Sequence, residues 1–414
     1  MKDEILSNLD NPGYLEKLYR TDKPTFKRTF QSLYPELKEN TLAGFWNERL
    51  NFTSEELSWG NSKDLFFVIV VSLLAGIFAK TPVLLNVTED FFYPRNIGFI
   101  VFPALSAYFA WKNKISVGRI TFMTCAVLLS LVFINLLPDV QNSDTLILSC
   151  IHLPLFLWAV LGFAFAGKKV KDVENRLAYL RYNGDLIVMT ALILLASGIM
   201  TGVTIGLFNL IGFDIRKYYF EYVAVFWLSA VPLVATYLTQ ANPQLVGKVS
   251  PVIARIFSPL VLVMLVIYLV AMVYSGKDPY NDREFLLIFN ALLIGVMAII
   301  FFSVAETSKT KESQLGTWVL FLLSLVTVIV NGIALSAILF RISEYGITPN
   351  RAAVLGGNVL ILINLLLVTV QLYKVLSKKA EIRGVGKVIS SYLPIYVIWT
   401  LIVTFLFPLL FGFK

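Results

Sequence analysis

Long apolar runs separated by short charged segments dominate the chain from residue 65 onward. Nine windows of about 20 residues contain no Asp, Glu, Lys or Arg, and roughly 20 apolar residues let a helix cross the hydrocarbon core of a bilayer. Two shorter apolar windows precede these nine. The pattern predicts an all-α, polytopic transmembrane bundle of about 11 spans, near residues 65–87, 96–111, 120–138, 145–167, 186–213, 218–240, 256–276, 285–305, 317–341, 349–373 and 390–412.

Whether the first predicted span is long enough to cross the membrane depends on Lys80. The uncharged run that starts at Leu65 stops at Ala79, and it reaches spanning length only if Lys80 extends toward the membrane surface and the helix continues to Val87. If residues 65–111 form a re-entrant hairpin instead, the count falls to nine spans.

Residues 1–63 are predicted to form a small helical cytoplasmic module ahead of a transmembrane domain, 64–414. Asn11-Pro12-Gly13 separates two short helices. Apolar residues at helical spacing indicate the further helices, namely Phe26, Phe30 and Leu33, and then Leu42, Phe45, Trp46 and Leu50. Because about 60 residues bury only a small core, we expect the module to pack as a cap or to recruit a cytoplasmic protein partner.

The basic residues predict an orientation. The chain carries 35 Lys and Arg against 27 Asp and Glu. With the N-terminus cytoplasmic and the C-terminus outside, 26 of the 35 fall on the cytoplasmic side, as the excess of Lys and Arg in cytoplasmic loops requires. The positive charge is distributed between spans, so we expect membrane lipid as a partner and no nucleic acid.

A polar turn between the ninth and tenth predicted spans carries the first candidate site. Gly346 suits the left-handed end of a helix. Thr348 suits an N-cap, with Pro349 at the first helical position. The ninth span is therefore expected to end near Tyr345 and the tenth to begin near Pro349.

Three charged residues flank this turn. Arg341 and Glu344 lie one helical turn apart and can pair, while Arg351 lies one turn into the facing helix. One interpretation is an Arg–Glu–Arg brace between two helices. The other is a fork that binds a phosphate or carboxylate, which guanidinium groups bind bidentately. With Tyr345 between them, these residues form the predicted anion-binding site.

Two further residues extend the candidate site. Asn358 lies seven residues beyond Arg351 on the same helix face, where it either continues a polar path or bonds helices together. Glu221 stands in the aromatic segment Tyr218–Tyr222. An ionisable residue entering a span suggests a function, although a carboxylate at the interface is the alternative.

Other features predict packing and exclude metals. Gly198, Gly202 and Gly206 recur every four residues, which favours close helix packing, with a hinge as the alternative. His152 is the one histidine of the chain, so neither a metal site nor a cofactor is expected.

The stretch Arg341-Ile-Ser-Glu-Tyr-Gly-Ile-Thr-Pro-Asn-Arg351 resembles the Arg-x-x-Glu-Tyr-Gly-x-Thr-x-x-Arg hairpin of a bacterial family of multi-pass inner-membrane proteins of unknown function. The similarity extends over residues 60–414. Phe45-Trp-Asn-Glu-Arg-Leu50 is similar to versions of that family from Bacteroidetes-type bacteria. The resemblance implies a fold and a location in the bacterial inner membrane, and it implies no activity.

Three functional classes follow. Binding, transport or flipping of an anionic small molecule or lipid at the outer face ranks first, because polar groups converge without a recognisable catalytic set. Walker, dinucleotide-binding and Gly-x-Ser-x-Gly motifs are missing from the sequence, which disfavours an enzyme. The alternatives are a membrane-embedded transferase for a lipid-linked substrate, with Glu89, Asp90 or Glu221 as base, and a non-catalytic scaffold that uses residues 1–63.

Overall fold

The computed structural model divides the chain into two compact units, Met1–Ser58 and Trp59–Lys414. Every regular element among the described residues is helical, which confirms the predicted all-α class. The structure describes residues 1–51, 62–140, 143–210, 213–247, 249–275, 283–307 and 314–413.

The described residues of the first unit form four α-helices, and a 3-10 turn, Tyr34–Glu36, precedes the fourth. The four α-helices are α1 (Lys2–Ser7), α2 (Pro12–Thr21), α3 (Lys23–Leu33) and α4 (Thr41–Asn51). The side chain of Asn11 accepts the N–H of Tyr14 at 3.1 Å, so the predicted break at Asn11-Pro12-Gly13 is the N-cap of α2.

The core of this unit is aromatic. Phe26 and Phe30 stack with ring centroids 5.9 Å apart, and Trp46 of α4 packs against both. The predicted helix over Leu42 to Leu50 forms as α4, in which Phe45 is 68% exposed and Ala43 is buried. Phe45 is exposed because adjacent residues on a helix point about 100° apart, and the buried Trp46 fixes which face of α4 is buried.

Glu16 links α2 to α4. Its carboxylate accepts from Arg20 at 2.8 Å and lies 2.6 Å from an Nη atom of Arg49. The hydrogen bond from Arg20, together with the charge of Arg49, lowers the pKa of Glu16 below its ordinary value. The Arg49 guanidinium also lies over the Trp46 ring, 5.0 Å from its centroid, so a charged pair covers the aromatic core.

The second unit is a bundle of long helices. In chain order they are α5 (Ser62–Ala79), α6 (Thr81–Leu85), α7 (Glu89–Lys112), α8 (Val117–Leu136), α9 (Asp144–Ala166), α10 (Val173–Leu210), α11 (Arg216–Tyr218), α12 (Val225–Ala241), α13 (Gln244–Gly247), α14 (Val249–Ser275), α15 (Arg283–Thr307), α16 (Gln314–Tyr345), α17 (Pro349–Leu376), α18 (Ile382–Leu401) and α19 (Phe407–Leu410). Two π-helical turns, Tyr219–Ala224 and Ile402–Leu406, lead into α12 and α19.

Ten helical segments among the described residues are long and apolar enough to cross a membrane. Among the described helices outside this group, α7 is the long one, and its 24 residues extend about 36 Å. It runs beside the crossing helix α9, because Gly98 in the middle of α7 lies against Leu157, and Asn113 at its C-terminal end donates to the carbonyl of Ala164 at 3.1 Å. With α7 the bundle has the predicted 11 crossings.

Polar residues lower the hydropathy of α7, and in the folded bundle several of them bond to other parts of the protein. Arg95, 3% exposed, donates to the carbonyl of Ile134 at 2.9 Å and to Asp139 at 2.9 Å. Asn96 and Asn135 exchange hydrogen bonds of 2.9 and 2.8 Å. These groups are satisfied at the end of α8, so they do not need water or lipid headgroups.

The first span ends earlier than predicted. Helix α5 stops at Ala79, and the short helix α6 starts at Thr81 with Pro82 in its first turn, where proline cannot donate a helical hydrogen bond. Lys80 stands at this break, 8% exposed and over the Tyr222 ring, so the prediction of one continuous span over 65–87 is wrong.

Helix α10 joins two hydrophobic cores. Leu177 and Leu180 belong to the larger core, with residues of α14 to α18. Tyr179 and Tyr182 belong to a second core, with residues of α5, α7, α8, α9 and α12. The two helix groups are therefore connected through opposite faces of the same helix.

Single glycines, and not the predicted stripe, permit close helix contacts. Gly184 of α10 lies against the ring of Phe302, and Gly356 of α17 lies against Trp399. A β-carbon at Gly198, Gly202 or Gly206 would meet no atom of the described chain within 4 Å. The predicted packing at these three glycines is therefore not formed within the described chain, because α10 presents that face outward.

We expect Gly184→Leu to destabilise the bundle and Gly198→Leu to leave it unchanged, although both lie on α10. The first substitution forces a side chain into the Phe302 ring, and overpacking of this kind costs roughly 1–3 kcal/mol. Thermal unfolding of the detergent-solubilised protein, followed by tryptophan fluorescence, would show a lower Tm for Gly184→Leu alone. Equal losses in both variants would contradict this assignment of the packing contact.

Candidate functional site

The turn between α16 and α17 forms as predicted. Helix α16 ends at Tyr345 and α17 begins at Pro349. Gly346 has a φ of +75°, in the left-handed region that favours glycine. The side chain of Thr348 accepts the N–H of Arg351 at 3.3 Å, which makes Thr348 the N-cap of α17. The local rules that predicted this turn are confirmed.

Arg351 closes the turn. Its Nη1 atom donates to the carbonyl oxygens of Tyr345 at 2.8 Å and Gly346 at 2.7 Å, and its guanidinium lies 5.5 Å from the centroid of the Tyr345 ring. The last carbonyls of a helix have no donor within the helix. Arg351 therefore caps α16 from the facing helix, and Tyr345 is part of this cap.

Glu344 is not a partner of either arginine. Its side chain is exposed, and no ion pair within 4.0 Å joins it to Arg341 or Arg351 in the described part of the chain. The predicted pairing of Arg341 with Glu344 is wrong. Their spacing allows a pair, but Arg341 continues the buried face of α16 while Glu344 points away from it.

Arg341 is half-buried and lacks a partner. It follows Asn331, Ala334 and Ile338 on one face of α16, and each of those residues is at most 3% exposed. Its Nη1 atom is buried and has no hydrogen-bond partner among the described residues. A guanidinium keeps its charge, so this nitrogen is a charged donor without an acceptor among the described residues.

Asn358 joins three helices below the turn. It is 3% exposed, and its Nδ2 donates to Oδ1 of Asn290 on α15 at 2.8 Å. Asn331 of α16 donates to the backbone oxygen of Asn358 at 3.2 Å, and Oδ1 of Asn331 is buried without a partner. Asn358 thus bonds helices together, and the cluster still has an unused acceptor.

Further polar contacts continue deeper in the bundle. Asn364 donates to the hydroxyl of Tyr396 on α18 at 3.0 Å, and that hydroxyl donates to the sulfur of Met297 at 3.3 Å. Thr369 of α17 donates to Ser324 of α16 at 3.1 Å. Sequence reasoning did not find Tyr396 or Met297, because neither residue type stands out in an apolar span.

Glu221 lies at a different contact. Its Oε1 atom is 3.9 Å from Nζ of Lys80, and Lys80 also lies over the Tyr222 ring, 4.6 Å from the centroid. Glu221 is in the π-helical turn before α12. The structure therefore pairs this carboxylate with the α5–α6 junction, and the prediction that it joins the hairpin site finds no support.

The other predicted groups add no second site. His152 bonds through Nδ1 to the carbonyl oxygen of Leu148 at 2.9 Å, within its own helix. Glu89 and Asp90 are exposed in the first turn of α7, where the helix dipole favours acidic residues. Among the residues that the structure describes, no three His, Cys, Asp or Glu side chains group as metal ligands.

Comparison of the chain with protein-family models, with curated protein sequences and with solved structures finds no match in any of the three.

We expect Arg351→Met to lower the free energy of unfolding by about 1 kcal/mol, because two carbonyl oxygens lose their donor. Glu344→Met serves as the control on the same turn and should change it by less than about 0.5 kcal/mol. Thermal unfolding of both variants measures the difference. A larger loss for Glu344→Met than for Arg351→Met would contradict the capping role.

Proposed function

We propose that this multi-pass membrane protein binds an anionic group at Arg341 and carries it along α15, α16 and α17. The observation that supports the proposal is the buried, unpartnered Nη1 atom of Arg341. Removing a charge from water without a counter-charge is costly. A phosphate or carboxylate would supply the missing oxygens and accept a bidentate pair of hydrogen bonds.

The chemistry of the neighbouring helices supports transport in addition to binding. Buried amide and hydroxyl groups recur at several depths below Arg341, beginning with Asn331 and Asn358 and continuing to Asn364 and Ser324. Between Arg341 and Asn331 lie Ala334, Ala337 and Ile338, which are closed off by their neighbours. An anion would therefore pass only after α16 and α17 separate, in an alternating-access cycle.

We place the protein in the bacterial inner membrane, with the hairpin and the C-terminus outside. The distribution of Lys and Arg supports this orientation. The predicted membership in the inner-membrane family of unknown function belongs to the same proposal.

One observation favours a second candidate function, a scaffold. Phe45 is 68% exposed on a unit whose other aromatic residues in α3 and α4 are buried. Exposed aromatic residues are enriched at protein interfaces. A cytoplasmic protein that binds residues 1–51 would make transport secondary. Deleting that unit, with Arg341 intact, would then remove function.

We expect the wild-type protein, extracted in mild detergent, to retain an anion or anionic lipid in native mass spectrometry, and Arg341→Met to lose it. Arg351→Met is the matched control and should retain the ligand, because its guanidinium is occupied by carbonyl oxygens. Retention in Arg341→Met, or no ligand in the wild type, would contradict the proposal.

A transport assay separates flipping from simple binding. Proteoliposomes that contain a fluorescent phosphatidylglycerol analogue would show faster loss of inner-leaflet signal to dithionite with wild type than with Arg341→Met. Equal rates, with the ligand bound in the wild type, would limit the role to binding.

The orientation has its own test. We expect Val140→Cys, between α8 and α9, to react with a membrane-impermeant maleimide on intact spheroplasts, in a background without Cys125 and Cys150. Lys171→Cys, before α10, should react only after lysis. The opposite labelling pattern would reverse the proposed topology.

A further inference from the structure

A second arginine, Arg181 of α10, is more deeply buried than Arg341. It is 8% exposed, and its Nε atom is buried without a hydrogen-bond partner among the described residues. Two other basic residues are buried to this degree, Lys80 and Arg95, and both pair with a carboxylate. In the described part of the chain, no ion pair within 4.0 Å includes Arg181.

Arg181 lies on the seam between the two helix groups. Its neighbour Tyr182 bonds through its hydroxyl to Thr236 of α12, 2.8 Å away. Gly184, three residues after Arg181, lies against Phe302 of α15. Around the axis of α10, Arg181 lies between Tyr182 and Gly184. It therefore faces the space where α12 and α15 approach α10.

Two acidic residues follow these contacts in the sequence, Asp185 on α10 and the buried Glu306 on α15, and each has a polar interaction. Asp185 lies one turn along α10 from Arg181, and no ion pair within 4.0 Å joins these two side chains in the part of the chain that the structure describes. Arginine cannot release its proton to escape burial, so the Nε atom of Arg181 is a charged donor without an acceptor among the described residues.

The seam lies at the end of the bundle opposite the α16–α17 turn. Asn290 of α15 bonds to Asn358, near the start of α17. Phe302, which contacts Gly184, is 12 residues further along α15. At 1.5 Å per residue this places the Arg181 seam about 18 Å deeper than the asparagine cluster.

We propose that Arg181 binds an anionic oxygen group of the phosphate or carboxylate class at the α10–α12–α15 seam. Its deep burial and missing partner carry the assignment. In a transporter, this seam would be a second binding site on the route, at the end opposite Arg341. That role rests on the proposed function. A dissolved anion and a phospholipid headgroup present the same oxygens to the guanidinium, so the experiment separates these two sources.

A satisfied arginine on the same helix provides the matched control. Arg176 donates to the carbonyl oxygens of Val170 at 2.9 Å and Ser390 at 3.0 Å. We expect Arg176→Met to lower the Tm of the full-length protein in anion-poor detergent buffer. Arg181→Met should keep or raise that Tm, because replacing an unpaired buried charge with an apolar side chain is neutral or stabilising.

Ligand binding is then measured with two probes, inorganic phosphate in detergent and phosphatidylglycerol in nanodiscs. A ligand that binds the folded state raises Tm according to its concentration over Kd. We expect at least one probe to raise the Tm of the wild type, and Arg181→Met to weaken that effect as a Kd increase of about 10-fold or more. A response to phosphate identifies a dissolved anion, and a response to phosphatidylglycerol alone identifies a lipid headgroup.

The same measurements in Arg341→Met separate the two sites. A ligand effect that survives in Arg341→Met and is lost in Arg181→Met supports the seam even if the hairpin proposal fails. An effect that is unchanged in Arg181→Met, no response to either probe, or a fall in Tm equal to that of Arg176→Met would each overturn the Arg181 site.

Discussion

An arginine keeps its proton in every environment that a protein offers, so each guanidinium inside this bundle needs oxygen atoms around it. Most of these oxygens are backbone carbonyls. Arg95 bonds to the end of α8, Arg351 bonds to the end of α16, and Arg176 ties the turn before α10 to α18. Arg181 and Arg341 stand apart, because each keeps a buried nitrogen that no described residue satisfies.

The same constraint explains which parts of the structure could be predicted from the sequence. The spans and the α16–α17 turn follow from local rules, so hydropathy located the helices, and Gly346, Thr348 and Pro349 located the turn. Helix α7 was harder to assign, because Arg95 lowers its hydropathy and only the folded bundle supplies the oxygens that satisfy that residue.

Side-chain partners were not predictable, since they depend on how each helix is rotated about its axis. Arg341 and Glu344 have the spacing of an ion pair, yet the packing of α16 buries one and exposes the other. Glu221 pairs with Lys80, which is distant in sequence. The three repeated glycines of α10 pack against no described atom, while the close contacts that need glycine occur at isolated positions such as Gly184.

The π-helical turn Tyr219–Ala224 has a consequence for the contact at Lys80. A π turn contains one residue more than an α-helical turn. If this turn relaxed to α-helix, the segment before it would rotate by about 100° relative to α12. Phe226 would remain against Gly76 while Glu221 moved away from Lys80. The Lys80–Glu221 contact therefore depends on the helical register of residues 216–224. A one-residue deletion in this turn would break that contact and leave the contact between Gly76 and Phe226 in place.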